Sequence, residues 1–108
     1  PQAFASNRLV AVVPTGSAAG SGGLASLSDV GVVALCAPTV PCGRHAERWL
    51  SGAGVALDES SVTRSRDARA TLSAVTDGDA DAAVVYATDA RAARGRVAVI
   101  ATSGDDVE

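Results

Sequence analysis

Short apolar runs, each closed by a turn or a helical segment, recur along the chain and constrain its fold most strongly. Runs such as LVAVV and AAVVY carry no charged residue and are too short for independent helices, which is typical of strands buried on both faces of a sheet. Strands are predicted in this way at 9–13, at 30–35 with an end at Cys36, at 60–64, at 82–86 and at 97–101.

Segments with helical periodicity lie between these runs. Helical structure is predicted as a turn at 24–30, a helix at 44–53, a helix from about Arg66 that stops at Gly78, and a short helix at 88–93. The Gly, Ala and Ser residues of 15–23 predict a loop. The alternation predicts a single domain, 1–108, of the α/β class: three layers, with a mostly parallel sheet of about five strands covered on both faces.

Composition argues against a nucleic-acid partner and against a membrane-spanning helix. A net charge of -3 and an aromatic content of 3% provide neither a basic groove nor stacking platforms, so nucleic acid is not an expected partner. No apolar run approaches the roughly 20 residues that a membrane-spanning helix needs. Because Pro1 stands where Met would begin a chain, we expect a processed chain or a piece of a larger one.

The segment CAPTVPCGRHAERWL, residues 36–50, concentrates both cysteines, the one histidine and the one tryptophan. A catalytic pair of Cys42 and His45 is one hypothesis, since a helix start favours a thiolate. No Asn or Asp is placed to orient the imidazole, so a solvated helix histidine is the preferred interpretation. Two interpretations of the cysteines stay open: a disulfide between Cys36 and Cys42, which would brace the loop, and two buried free thiols.

Metal coordination has weak support. Two cysteines and one histidine fall short of the four ligands of a structural zinc site. The acidic residues Asp77, Asp79 and Asp81 lack the spacing of a calcium loop, so a solvated turn is the preferred interpretation.

Oxyanion binding by the backbone is a further hypothesis. Pro41 suits the first turn of a helix, and the N–H groups of Cys42 and Gly43 would then lack intrahelical acceptors. Ser65 is expected to cap a second helix in the same way. Tyr86 ends a strand and can present its hydroxyl at the carboxyl edge of the sheet, where such folds bind ligands.

Three segments together resemble the molybdate-binding periplasmic proteins of ABC transporters: VALCAPTVPCGRHAERWL (33–50), RDARATLSAVTDGDADAAVVYATDA (66–90) and FASNRLVAVVP (4–14). The resemblance implies a two-lobed binding protein of the type II periplasmic class, with the anion in the cleft between the lobes. It implies that this chain is the second, inserted lobe, because no part of it matches the first lobe. In the family, that missing lobe supplies further donors.

Carried over by motif, the resemblance implies that molybdate or tungstate is held by the main-chain N–H groups of Cys42 and Ala68 and by the hydroxyl of Tyr86, with Gly43 and Asp67 in support. No metal-coordinating side chain and no cofactor is implied. Arg66 and Arg69 are expected on a solvated face, with steering of the anion as the alternative.

The resemblance further implies delivery of the anion to a membrane permease of an ABC transporter, and a place in the periplasm or at the outer face of the cell membrane, with or without a lipid anchor. It implies binding and not catalysis. The alternative function is an effector-sensing domain of a transcription regulator, since such regulators reuse the two-lobed fold.

Overall fold

The computed structural model describes residues 8–17 and 22–103. Five strands and three α-helices alternate along them, in the order β1 (Leu9–Pro14), β2 (Val33–Cys36), α1 (Pro41–Gly52), β3 (Val62–Ser65), α2 (Ala68–Thr76), β4 (Ala82–Tyr86), α3 (Ala87–Ala92) and β5 (Val97–Thr102). Two 3₁₀ segments, Gly23–Asp29 and Glu59–Ser61, precede β2 and β3. Residues 4–7 of the first family-like segment, and 18–21 of the predicted loop, lie outside the described residues.

The sheet has the order β3-β2-β4-β1-β5 and is mixed, which corrects the prediction of a mostly parallel pairing. Strand β2 is parallel to β3 and to β4, whereas β1 is antiparallel to both of its neighbours, β4 and β5. Four strands therefore point in one direction, and β1 alone is reversed between β4 and β5. An apolar run reports that a strand is buried but carries no information about its direction, so periodicity could not reveal this reversal.

Both faces of the sheet are covered, as predicted. Alternate residues of β1 point to opposite faces, and each face has its own apolar cluster. Leu9, Ala11 and Val13 pack with Ala46 and Leu50 of α1.

The opposite face joins β1 to α2 and α3. There, Val10 and Val12 pack with Val75 of α2 and with Ala90 of α3. The buried members of both clusters are Val, Leu and Ala residues, without an aromatic side chain among them.

Helix α1 begins at Pro41, three residues before the predicted start at Arg44. The apolar stripe that indicated the helix starts only at Ala46, whereas the true start is set by the backbone. Val40 is extended, with φ -100° and ψ 160°, and Pro41 occupies the first helical position, where its missing N–H costs no hydrogen bond. Trp49 and Leu50 pack against the sheet and anchor α1 on it.

Arg64 of β3 holds the end of β2 in place. Its Nη1 donates to the carbonyl oxygen of Cys36 at 2.9 Å. Its Nη2 lies 2.9 Å from a carboxylate oxygen of Glu47 on α1 and 2.9 Å from one of Glu59. The Glu59 carboxylate, followed by Glu47, raises the pKa of Arg64 against the opposing effect of burial. One guanidinium therefore connects β2, β3, α1 and the second 3₁₀ segment.

Gly43 lets the β2–α1 loop fold back onto the first turn of α1. A Cβ at this position would overlap the carbonyl oxygen of Ala37 and lie 2.6 Å from its carbonyl carbon. The residue is buried, and the opposing atoms are backbone, which cannot swing aside as a flexible side chain does. Only glycine fits this close approach.

We expect Gly43→Ala to lower the free energy of unfolding by more than about 3 kcal/mol, because the added methyl must displace backbone in a packed region. Gly52→Ala is the matched control, since Gly52 lies in the same helix with nothing within 4 Å of its added Cβ. That control should change stability by less than about 1 kcal/mol, in the stabilising direction. Urea denaturation of both variants makes the measurement, and similar midpoints would contradict the close-approach interpretation.

Candidate functional site

The carboxyl ends of β2, β3 and β4 meet at one edge of the sheet. Cys36 is the register partner of Ser65, so β2 and β3 end side by side. At this edge Cys36, Cys42 and Ala68 form a buried cluster, against which Val40 and Tyr86 pack. We call these five residues the site cluster. The three residues predicted from the family motif to donate hydrogen bonds, Cys42, Ala68 and Tyr86, all belong to it.

The N-terminus of α1 presents one free donor and not two. The N–H of Cys42 has no acceptor among the described residues, as expected for the second helical position. The N–H of Gly43 donates to the carbonyl oxygen of Val40 at 3.0 Å, which corrects the prediction that it lacks an intrahelical acceptor. The tight first turn satisfies that group internally. Gly43 therefore supports the site through its missing side chain.

The N-terminus of α2 is capped by Asp67, and the prediction that Ser65 caps it is wrong. Ser65 is the last residue of β3, two positions too early. An Asp67 carboxylate oxygen accepts the N–H of Ala70 at 2.8 Å. The N–H of Ala68 has no acceptor in the described part of the chain, and the residue is 8% exposed. The cap therefore bonds the third N–H of α2 and not the first.

Tyr86 ends β4 and is partly buried beside the site cluster. Its main-chain N–H donates to the Asp89 carboxylate at 3.2 Å, which fixes the start of α3. Burial and, to a lesser extent, Asp89 raise the pKa of the Tyr86 hydroxyl, while the charge of Arg44 lowers it. The hydroxyl therefore stays protonated well above neutral pH, as a donor must.

The two cysteines form a disulfide, with their Cα atoms 5.8 Å apart. This resolves the choice between a bridge and two buried thiols. No free cysteine occurs in residues 8–17 and 22–103, so the bridged chain offers no thiol for the Cys42–His45 hypothesis. The bridge ties the end of β2 to the first turn of α1.

His45 is less solvated than expected. The residue is partly buried, and its Nδ1 is enclosed without a hydrogen-bond partner within the described ranges. In the part of the chain that the structure describes, no carboxylate or amide therefore holds Nδ1 to orient the ring for general base catalysis.

The remaining charged candidates lie on the surface. Asp77, Asp79 and Asp81 are exposed, and Asp81 accepts the main-chain N–H of Val32 at 2.8 Å, so this acidic turn is structural. Within the described ranges no three acidic, His or Cys side chains gather as a metal site would require. Arg66 and Arg69 are exposed, as predicted.

Arg44 is a charged neighbour of the site that sequence reasoning missed. Its Nη1 donates to the carbonyl oxygen of Thr39 at 2.8 Å, and its charge is felt at the Tyr86 hydroxyl. The signal that could have found it is its place in the first turn of α1, which contains no acidic residue. The helix dipole interacts unfavourably with a cation at this end of a helix. An anion bound beside Arg44 would offset that unfavourable interaction.

Two surface cavities of about 690 and 450 Å³ lie elsewhere. The larger is lined by Arg8, Arg91 and Arg94 on the side of α3 and β5, and the smaller lies between α1 and the edge strand β3. Neither of these two cavities is lined by Cys42, Ala68 or Tyr86, so both lie apart from the site cluster. Among the helices described, none has the length and apolar character to cross a membrane.

The chain is similar in sequence to proteins of known function. A family model for "Bacterial extracellular solute-binding protein" matches residues 1–107. The chain is 34% identical over 91 residues to the molybdate-binding protein ModA of Mycobacterium bovis, and equally to that of Mycobacterium tuberculosis. These matches cover 83% of this chain but only 34% of each relative's length.

Solved structures share the fold. The substrate-binding domain of a putative molybdenum ABC transporter from Clostridium difficile superposes with a TM-score of 0.76 at 21% identity, over 98% of this chain and 48% of that one. The periplasmic VFT2 domain of BvgS from Bordetella pertussis gives a TM-score of 0.64 at 17% identity, over 97% and 43%. The chain thus spans about half of these structures, and at identities this low the similarity shows the fold alone.

Removal of the disulfide should weaken the fold measurably. The bridge closes a loop of seven residues, counted from Cys36 to Cys42, for which the chain-entropy model gives about 2 kcal/mol. We expect a Cys36→Ser, Cys42→Ser double variant to lose about that much unfolding free energy in urea denaturation. Equal stability of the oxidised protein and the double variant would show that the bridge does not brace this loop.

Proposed function

The chain belongs to the bacterial extracellular solute-binding proteins, and we propose that it binds molybdate or tungstate for delivery to an ABC transporter. The observation that carries the proposal is the convergence of Cys42, Ala68 and Tyr86 in one cluster at the carboxyl edge of the sheet. The similarity to molybdate-binding relatives supports this choice of ligand.

We propose that residues 1–108 form the inserted second lobe of a two-lobed protein. Strands β1 and β5 are neighbours, with Val10 opposite Thr102, so the chain enters and leaves this domain at one place. The N–H of Leu9 donates to the Ser103 hydroxyl at 3.2 Å, and the N–H of Ser103 donates to the Leu9 carbonyl at 2.9 Å. A domain with paired entry and exit strands suits insertion into another lobe.

The same strands support a cleft at the site cluster. Leu9 is the register partner of Tyr86, so the entry strand begins at the edge where β4 ends. Because β1 is reversed, it begins, and β5 ends, at the edge that carries the site. A first lobe attached there would face the site cluster across a cleft.

Binding would rest on neutral donors. The N–H groups of Cys42 and Ala68 lie at the first turns of two helices, where the helix dipoles favour an anion. The Tyr86 hydroxyl adds a third donor. Such a set favours a tetrahedral dianion that brings no proton, since a protonated oxyanion would leave a donor facing another donor. Molybdate and tungstate satisfy it equally.

The charged side chains near the site would not neutralise the anion by direct contact. The Asp67 and Asp89 carboxylates are occupied as caps of α2 and α3. Arg44 is held at the Thr39 carbonyl oxygen and contributes positive potential that would steer an anion toward this edge.

Delivery to a permease implies a place in the periplasm or on the outer face of the cell membrane, with or without a lipid anchor. We propose a binding role without catalysis and without a cofactor. The alternative of an effector-sensing domain rests on the shared fold alone.

In the complete two-lobed protein, Tyr86→Phe should weaken molybdate binding by about 1 to 3 kcal/mol, since it removes one buried donor to a charged acceptor. Isothermal titration calorimetry provides the measurement. Ser28→Ala, which removes an exposed hydroxyl outside the site cluster, is the control and should leave affinity unchanged. Wild-type affinity in the Phe variant would remove Tyr86 from the site.

The 108-residue chain alone should bind molybdate feebly or not at all, because one wall of a cleft leaves most of the anion in water. Calorimetry at millimolar protein and ligand would detect even weak binding. Micromolar or tighter binding by the monomeric chain would contradict the two-lobed account.

A further inference from the structure

Thr71 occupies an unusual place beneath the site. It is fully buried on α2, and with Ser103 it is one of two buried polar residues that the described part of the chain contains outside its apolar core. Its Oγ1 lies 3.4 Å from the Sγ of Cys36, which belongs to the disulfide. A polar side chain at such depth has to be satisfied by specific partners.

The Thr71 hydroxyl donates its proton to a main-chain carbonyl oxygen and not to the sulfur. A disulfide sulfur carries no proton, so only Thr71 can donate between these two groups. The hydroxyl makes its shorter contact, 2.8 Å, with the carbonyl oxygen of Asp67. That oxygen also accepts the Thr71 N–H at 3.1 Å. The sulfur therefore packs against a hydroxyl whose orientation is fixed by α2.

These contacts form a continuous path between the two helix starts. The path runs from Cys42 through the disulfide to Cys36, across to Thr71, and back along its hydrogen bond to the Asp67 carbonyl. The carbonyl carbon of Asp67 is bonded to the main-chain nitrogen of Ala68. Both ends of the path are thus the main-chain donors assigned to the oxyanion.

We propose that the Cys36–Cys42 disulfide and Thr71 act as one unit that sets the spacing between the N–H groups of Cys42 and Ala68, with Thr71 as a positioning residue for oxyanion affinity. This inference rests on the proposed function of the same site. The β-branched side chain suits the role, because its χ1 is restricted in a helix and holds the hydroxyl and the methyl in fixed directions.

Two substitutions at Thr71 test the role of its hydroxyl and the role of its methyl group separately. Thr71→Val keeps the volume and the contact with the sulfur but loses the hydrogen bond to Asp67. Thr71→Ser keeps the hydrogen bond and loses the methyl. In the complete two-lobed protein, we expect Thr71→Val to weaken molybdate binding roughly five- to tenfold and Thr71→Ser to stay within about twofold of wild type.

The decisive test is a double-mutant cycle, with molybdate affinity measured by calorimetry. Thr71→Val is combined with the Cys36→Ser, Cys42→Ser pair, which removes the bridge. If the path acts as a unit, Thr71→Val should weaken molybdate affinity by less than about twofold once the bridge is gone. The effects of substitutions at contacting residues depend on each other, whereas those at independent residues are additive. Thermal unfolding of each variant establishes that it is folded at the titration temperature.

The outcomes are distinguishable. If the wild-type protein fails to bind molybdate, the proposed function falls. If the wild type binds and Thr71→Val binds equally well, the positioning role falls while the function stands. An equal loss from Thr71→Val with and without the bridge also overturns the inference, since Thr71 would then act independently of the disulfide. Retained affinity in Thr71→Ser, with strong coupling in the cycle, supports it.

Discussion

The reversal of β1 between β4 and β5 is the constraint on which the rest of the arrangement depends. With β2, β3 and β4 aligned, three strands end at one edge, and the helices that follow them begin there. With β1 running the other way, its first residue lies beside Tyr86 and its partner β5 ends nearby. The edge at which these helices begin is therefore also the edge at which β1 begins and β5 ends.

Backbone groups carry the chemistry of the proposed site, and the uncommon side chains of 36–50 support them. The cysteines are joined to each other and are buried, so they shape the floor of the site and do not react with a ligand. Gly43 admits the returning loop, and Arg64 fixes the last carbonyl of β2. The N–H groups of Cys42 and Ala68 have no acceptor among the described residues, and with the Tyr86 hydroxyl they form a donor set suited to an oxyanion and poorly suited to a cation.

The sequence predicted those features that depend on local pattern. The apolar run at 82–86 coincides with β4, and the alternating residues of β1 divide between the two cores as a doubly covered strand must. Strand direction depends on nonlocal pairing, so the reversal of β1 was not accessible. Asp67 displaced Ser65 as the cap because β3 extends through Ser65, a boundary that propensity does not fix. Thr71 resembled an ordinary helix residue, and only its contact with the distant Cys36 reveals its place.

The most direct test of the account is whether the N–H groups of Cys42 and Ala68 bind the oxyanion. Amide ¹H–¹⁵N spectra of the complete protein, with the proposed first lobe present, report on each donor separately when molybdate is titrated in. The account predicts saturable downfield displacement of the amide protons of Cys42 and Ala68, with a smaller effect at Gly43, whose N–H is already bonded to Val40. Saturable molybdate binding that leaves the amides of Cys42 and Ala68 unmoved would contradict it.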